Sequence, residues 1–157
     1  MKITFLTVGK TEDTYLKDGI EKYVKRLKHY TRLELIDLAE LKNTKALTLD
    51  QQKTKEAEMI LKKIVPTDYV ILLDENGAEL TSKQFANYLD KKAISATASL
   101  VFVVGGPYGF DETVYSRAND KVSLSRMTFS HQMVRLFFVE QLYRAFTIIK
   151  GEPYHHE

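Results

Sequence analysis

Three stretches constrain this chain more than any other feature. Residues 2–8, 69–73 and 99–104 are short runs rich in apolar, β-branched and aromatic side chains. A strand with one face in water alternates apolar with polar, whereas a short, nearly unbroken apolar run reads as a strand covered on both faces, the habit of parallel sheets. Between these runs lie segments with helical spacing. Leu16, Ile20, Tyr23, Val24 and Leu27 share one face of a helix entered near Asp13 or Thr14. Ala57, Ile60, Leu61 and Ile64 do the same in a helix that starts near Leu49 and stops at Val65 and Pro66.

The rest of the chain fits the same alternation. Leu33 to Leu38 reads as a strand followed by a polar loop around Lys42 to Thr44, and Asp74 to Gly77 reads as a turn. Thr81 or Ser82 caps a helix with Phe85, Tyr88 and Leu89 inward, and Asp111 caps a short helix over 111–118. Lys121 to Leu124 is the last strand, and His131 to Ile149 the last helix. Strands alternating with helices predict an α/β fold, a mostly parallel sheet with helices on both faces. In such a sheet ligands bind beyond the carboxyl ends of the strands.

Composition removes several classes. A chain of 157 residues with 44% hydrophobic side chains fits one domain, 1–157, with a real core. With 23 basic and 21 acidic residues, net charge +2, nothing pulls the whole chain toward nucleic acid, so an RNA contact has to be local or shared between subunits. The lysines at 42, 45, 53, 55, 62 and 63 read as a solvated helix face and its flank. The absence of cysteine excludes disulfides and thiolate metal sites and fits a reducing cytoplasm. The opening MKITFLTVGK has too short an apolar run for a secretory signal, and charges interrupt every stretch long enough to span a membrane. No metal site is expected, because His29, His131 and the tail histidines lack ligand spacing.

Three places stand out as candidate sites. The loop Gly105-Gly106-Pro107-Tyr108-Gly109 follows a buried strand, where glycines permit positive φ and bare amides can meet a ligand. Pro107 replaces the second glycine of a dinucleotide fingerprint and no Walker lysine follows, so phosphate cradling is not expected. The loop Leu124 to Ser130 is half apolar, suited either to a flat heteroaromatic ligand or to closing the core with Met127 and Phe129. Leu72 and Leu73 would complete that pocket if their strand lies beside 99–104. The tail Gly151 to Glu157 carries Tyr154, His155 and His156, of which a histidine is the natural general base.

The last helix raises two further expectations. Its apolar residues cover more than half its circumference, so it needs two partners: the sheet and either its own subunit or the same helix of a second copy. The second copy is the simpler choice in a small chain. Glu140 and Arg144 form an i,i+4 pair on its polar stripe, while Arg135 projects from the apolar arc and calls for a partner or an anionic ligand.

The segments FVVGGPYGF, SLSRMTFSHQMVR, EQLYRAF and PYHHE, with the opening MKITFLTVGK, closely resemble the ribosomal large subunit RNA methyltransferase H family of the SPOUT class. The resemblance spans the whole chain and is weakest over residues 40–66. It implies a C-terminal trefoil knot, against general connection rules, with S-adenosylmethionine held in the knotted loops. It also implies a homodimer packed through the C-terminal helices, with RNA bound across the pair, and methylation of N3 of a pseudouridine in 23S rRNA on assembled ribosomes in the cytoplasm.

Carried onto this chain, the cofactor residues are Leu73, Gly105, Leu124, Ser125, Arg126, Met127, Thr128 and Phe129. The tail Tyr154, His155 and His156 would approach the target base, and Arg144 lies in the matching YRA segment. Of these Tyr154, His155 and Arg144 are expected to be catalytic; the chemistry of an imide nucleophile suggests His155 as base, with Arg144 or Arg135 stabilising the developing charge. A flavodoxin-like nucleotide or flavin binder is the main alternative, and a non-catalytic ribosome-associated dimer the second.

Overall fold

Five parallel strands form one sheet in the order β2-β1-β4-β3-β5. They are β1 (Lys2–Val8), β2 (Arg32–Leu38), β3 (Tyr69–Glu79), β4 (Ser99–Val103) and β5 (Asp120–Ser123). The computed structural model describes residues 1–156; Glu157, the end of the tail motif, lies outside them.

The unbroken apolar runs are explained by the two cores. Along β1, Ile3 and Phe5 enter one core while Leu6 and Val8 enter the other. On β4, Leu100 and Phe102 face the first, Val101 and Val103 the second. The first core is covered by α1 (Thr14–Leu27), α3 (Ser82–Ile94) and α5 (Met133–Ile149), the second by α2 (Leu49–Lys62) and α4 (Glu112–Arg117). Phe138 of α5 is fully buried, 4.6 Å from the Phe5 ring and 4.8 Å from Phe102.

Helix α5 packs between α1 and α3. Its own subunit therefore covers most of the apolar arc, and the step from arc width to a second copy does not hold by itself. What stays outside is a smaller patch: Met133 and Phe137 are 37% and 39% exposed.

Two boundaries differ from the sequence reading for local reasons. Residues 74–77 are not a free turn but an irregularity inside β3, where the register with β5 shifts between Leu73 and Ala78. The Asp74 carboxylate accepts the Asn76 amide at 2.8 Å, and at Gly77 a Cβ would stand 2.7 Å from the backbone of Lys121 and Val122. Only glycine lets β5 come that close. Helix α5 starts at Met133, two residues late, with Gln132 as a cap that makes no side-chain bond; the turn before it is held by Ser130, whose Oγ accepts the Met133 amide at 3.0 Å and whose carbonyl accepts the Val134 amide.

Side-chain caps open α2, α3 and α4, the last through Asp111, whose carboxylate accepts the Thr113 amide at 3.1 Å. Thr81 with Gln84, and Thr48 with Gln51, form reciprocal capping boxes at the starts of α3 and α2. Among the described residues no helix is long and apolar enough to cross a membrane.

Candidate functional site

A cleft of about 650 Å³ opens where β3, β4 and β5 end. One wall is residues 73–76 of β3, the second is the glycine loop 104–110, and the third is the segment that follows β5 and leads into α5. Parallel pairing of β3 with β4 sets Leu73 beside the glycine loop.

The glycine loop works differently from the sequence expectation. Neither Gly105 nor Gly106 has positive φ; Gly109 does, at 80°. At Gly105 a Cβ would sit 2.9 Å from the Phe110 ring, and at Gly106 2.7 Å from Glu56 Oε2. Close approach, not a left-handed backbone, requires these two glycines. The Gly106 amide is also not bare, because it donates to Glu56 Oε1 at 2.9 Å.

The segment after β5 is held by its own polar groups. Ser123 Oγ donates to the Ser125 carbonyl at 2.9 Å, and Ser125 Oγ accepts the Met127 amide at 3.0 Å. Leu124, Ser125, Met127, Thr128 and Phe129 line the cleft. Arg126 does not: its side chain is 85% exposed and pairs with Glu79 at 3.0 Å. Met127 is 77% exposed and Phe129 packs at a tilt against the exposed Phe137, centroids 4.9 Å apart, so neither seals the core. The core-closure reading of this loop fails.

Acidic and aromatic groups complete the cleft. Tyr115 Oη donates to Asp74 Oδ2, and burial together with this bond pushes Tyr115 up to about 12. Thr128 Oγ1 donates to Glu75 Oε2 at 3.3 Å.

The catalytic residues implied by the resemblance form a separate cluster at the far end of α5. Gly151, with φ of 70°, turns the chain back: its amide bonds the Ile148 carbonyl and that of Glu152 the Thr147 carbonyl, a Schellman closure. Arg144 Nη2 lies 2.5 Å from Glu140 Oε1, and its Nη1 lies 3.1 Å from His155 Nδ1. Guanidinium only donates, so Nδ1 is the accepting nitrogen and the ring proton sits on Nε2.

Tyr154 Oη donates to Glu140 Oε1 at 3.0 Å and lies 3.4 Å from Tyr23 Oη, with its ring edge-on to Tyr143. Burial, then Tyr23 and Glu140, raise the Tyr154 phenol well above its ordinary value. Tyr30 donates to Glu152 at 2.6 Å, and that carboxylate with burial pushes Tyr30 up to about 12.

The structure thus brings together the residues expected to hold a cofactor, apart from the Arg126 side chain, and separately the tail residues. It does not join the two groups. Val134 lines the cleft while Arg144 lies ten residues further along α5, about 15 Å at the helical rise.

Arg135 belongs to neither group. It is 2% exposed, and its Nη2 and Nη1 donate to the Val8 and Gly9 carbonyls at 2.9 Å and its Nε to the His131 carbonyl at 3.0 Å. Backbone carbonyls are the partners its position called for, so neither an anionic ligand nor a developing charge is needed to explain it.

Sequence reading missed Glu56 and Tyr115 as parts of these clusters; it had Glu140 as the ion-pair partner of Arg144, which the structure bears out. Glu56 left a signal: with Ile60 and Ile64 it shares i, i+4, i+8 spacing, a carboxylate on an inward stripe.

Comparison with known proteins agrees with this geometry. Residues 1–155 match the family model described as "Predicted SPOUT methyltransferase". The chain is 55% identical to the ribosomal RNA large subunit methyltransferase H of Parabacteroides distasonis and 53% to that of Bacteroides thetaiotaomicron, each over 157 residues and the whole of both chains. The protein of the same name from Flavobacterium psychrophilum is 55% identical, again over the full length of both.

Proposed function

The chain belongs to the SPOUT methyltransferases, in the family of ribosomal RNA large subunit methyltransferase H, and from that membership we propose that it methylates N3 of a pseudouridine in 23S rRNA on assembled ribosomes, with S-adenosylmethionine as donor. The observation that carries this reading is the cleft at the carboxyl ends of β3, β4 and β5, lined by the family-matched Leu73, Gly105, Leu124, Ser125, Met127, Thr128 and Phe129. Its size suits a nucleoside-sized ligand. Its chemistry suits this donor too: Leu73, Leu124 and Phe129 offer apolar contact for an adenine, and the Asp74 and Glu75 carboxylates face a site that would take a cation.

Bound S-adenosylmethionine supplies a methyl group on a sulfonium, whose displacement depends on alignment more than on a strong acid. The chain's own task is the nucleophile. N3 is an imide nitrogen that keeps its proton at neutral pH, so the proton must leave as the N–C bond forms and the C–S bond breaks. His155 takes it on Nδ1 after the substrate displaces the Arg144 contact, and Arg144 stabilises the charge that develops on the base's carbonyl oxygens. Tyr154 holds Glu140, and through it Arg144, in place.

Because the tail and the cleft lie at opposite ends of α5, one chain cannot join them. A homodimer packed through antiparallel C-terminal helices would bring each tail to the partner's cleft and present RNA to the pair. The exposed Met133 and Phe137 at the cleft end are the apolar surface available for this. The C-terminal knot fits the path of residues 124–132, which runs from the β5 edge past the β3 and β4 loops to β1, where Gln132 bonds the Lys10 carbonyl.

The test is transfer of labelled methyl groups to ribosomes that carry the unmodified pseudouridine, followed by mass spectrometry of the rRNA. One added methyl on pseudouridine is expected. Donor binding without transfer would support a non-catalytic dimer, and preference for flavin or ATP in calorimetry would overturn the donor.

A further inference from the structure

Glu56 is a carboxylate on the inner side of α2 with no part in the chemistry above. Its Oε1 accepts the Gly106 amide at 2.9 Å, and its Oε2 fills the space that a Cβ at residue 106 would need, 2.7 Å away. Glycine at 106 therefore makes room for a protein carboxylate behind the loop. From these contacts, and resting on the methyl-donor reading of the cleft, we propose that Glu56 is a positioning residue for that site, holding the glycine loop in its ligand-accepting shape from behind.

Three observations converge on this role. Gly106 closes the small loop through the Gly109 amide, which donates to its carbonyl at 3.2 Å, so fixing Gly106 fixes residues 106–109. Those residues form one wall of the cleft, and Tyr108 in their middle is 52% exposed, with little packing of its own to hold it. On the opposite wall of the cleft stands His131, in the segment that leads into α5. Burial disfavours the ionised carboxylate here, which is an unfavourable place for a charge on grounds of stability alone.

The test uses the full chain with Glu56→Ala and Glu56→Gln. Glutamine keeps a carbonyl that accepts the Gly106 amide; alanine removes it. Calorimetry with S-adenosylmethionine should show affinity about tenfold weaker for Glu56→Ala, the size of one buried hydrogen bond, and near-normal affinity for Glu56→Gln. Amide hydrogen exchange of residues 105–109 in the ligand-free chain should quicken in Glu56→Ala only.

Unchanged exchange and affinity in Glu56→Ala would overturn the proposal. So would losses in both variants that merely follow their thermal midpoints, the mark of a structural role. If the unaltered chain fails to bind the donor, the reading of the cleft falls, whereas exchange at 105–109 still judges whether Glu56 holds the loop.

Discussion

The two ends of α5 are built on opposite plans. At its start, the cleft is made of loop backbone, glycines that permit close approach, and side chains left open, with Met127 at 77% exposure. At its end, Glu140, Arg144, Tyr154 and His155 already bond one another and lean on Tyr23 and Tyr143. A site that must admit and release a ligand has to keep part of its surface open. A site that moves a proton gains from groups fixed before the substrate arrives, since ordering them during reaction would add to the barrier.

If this contrast is real, the two ends should fail in different ways. The largest effect is expected at the tail. Arg144→Ala should slow single-turnover methylation on ribosomes by about 100-fold or more, as loss of a transition-state charge partner does elsewhere. His155→Ala should cost a comparable factor of about 100-fold as loss of a general base. Neither should change donor affinity measured by calorimetry, because neither side chain is among those that line the cleft. Unchanged turnover in His155→Ala would remove it as the base.

Next in size is the core that holds the two ends at their spacing. Phe138→Ala should lower stability by about 3–5 kcal/mol in denaturant unfolding, since the ring is fully buried between Phe5 and Phe102. At the cleft, Gly105→Ala should weaken donor binding by about tenfold with the methylation step little altered at saturation, because the new Cβ must displace the Phe110 ring. A mixture of His155→Ala and Gly105→Ala chains tests whether the ends meet across a dimer. At low donor concentration it should recover about a quarter of normal activity, since half the dimers then hold one intact pairing.

The smallest effect concerns pH. Burial raises the Glu56 carboxyl above its ordinary range, against the Gly106 amide and His131. A carboxyl raised in the folded state favours folding when protonated and loses that contribution as pH rises through its folded value. Glu56→Gln should therefore match or slightly exceed the unaltered chain in thermal midpoint at pH 7, by on the order of 2 °C. The gap should close as pH falls toward the ordinary glutamate range.

Much of this was readable before any coordinates. The apolar runs at 2–8, 69–73 and 99–104 announce parallel strands because burial on both faces abolishes alternation, and α1 and α2 follow from their stripes. Motif resemblance carried the expected cofactor residues, and local pattern marked the glycine loop and Leu124 to Ser130 as either a strand-end pocket or core closure.

What local pattern could not reach depends on contacts between distant segments. Arg135 appears in sequence as a charge in search of a ligand; only the approach of β1 to α5 supplies the Val8 and Gly9 carbonyls that satisfy it. Gly106 reads as a bare amide open to a ligand until α2 brings Glu56 against it across fifty residues. The separation of tail and cleft likewise follows from α5 running unbroken over 17 residues against α1 and α3. Residue type and periodicity therefore determine which segments are strands, helices and candidate sites. The tertiary structure alone decides which of their polar groups are already satisfied by one another and which remain for a ligand, because a hydrogen bond depends on where atoms meet in space and not on their order along the chain.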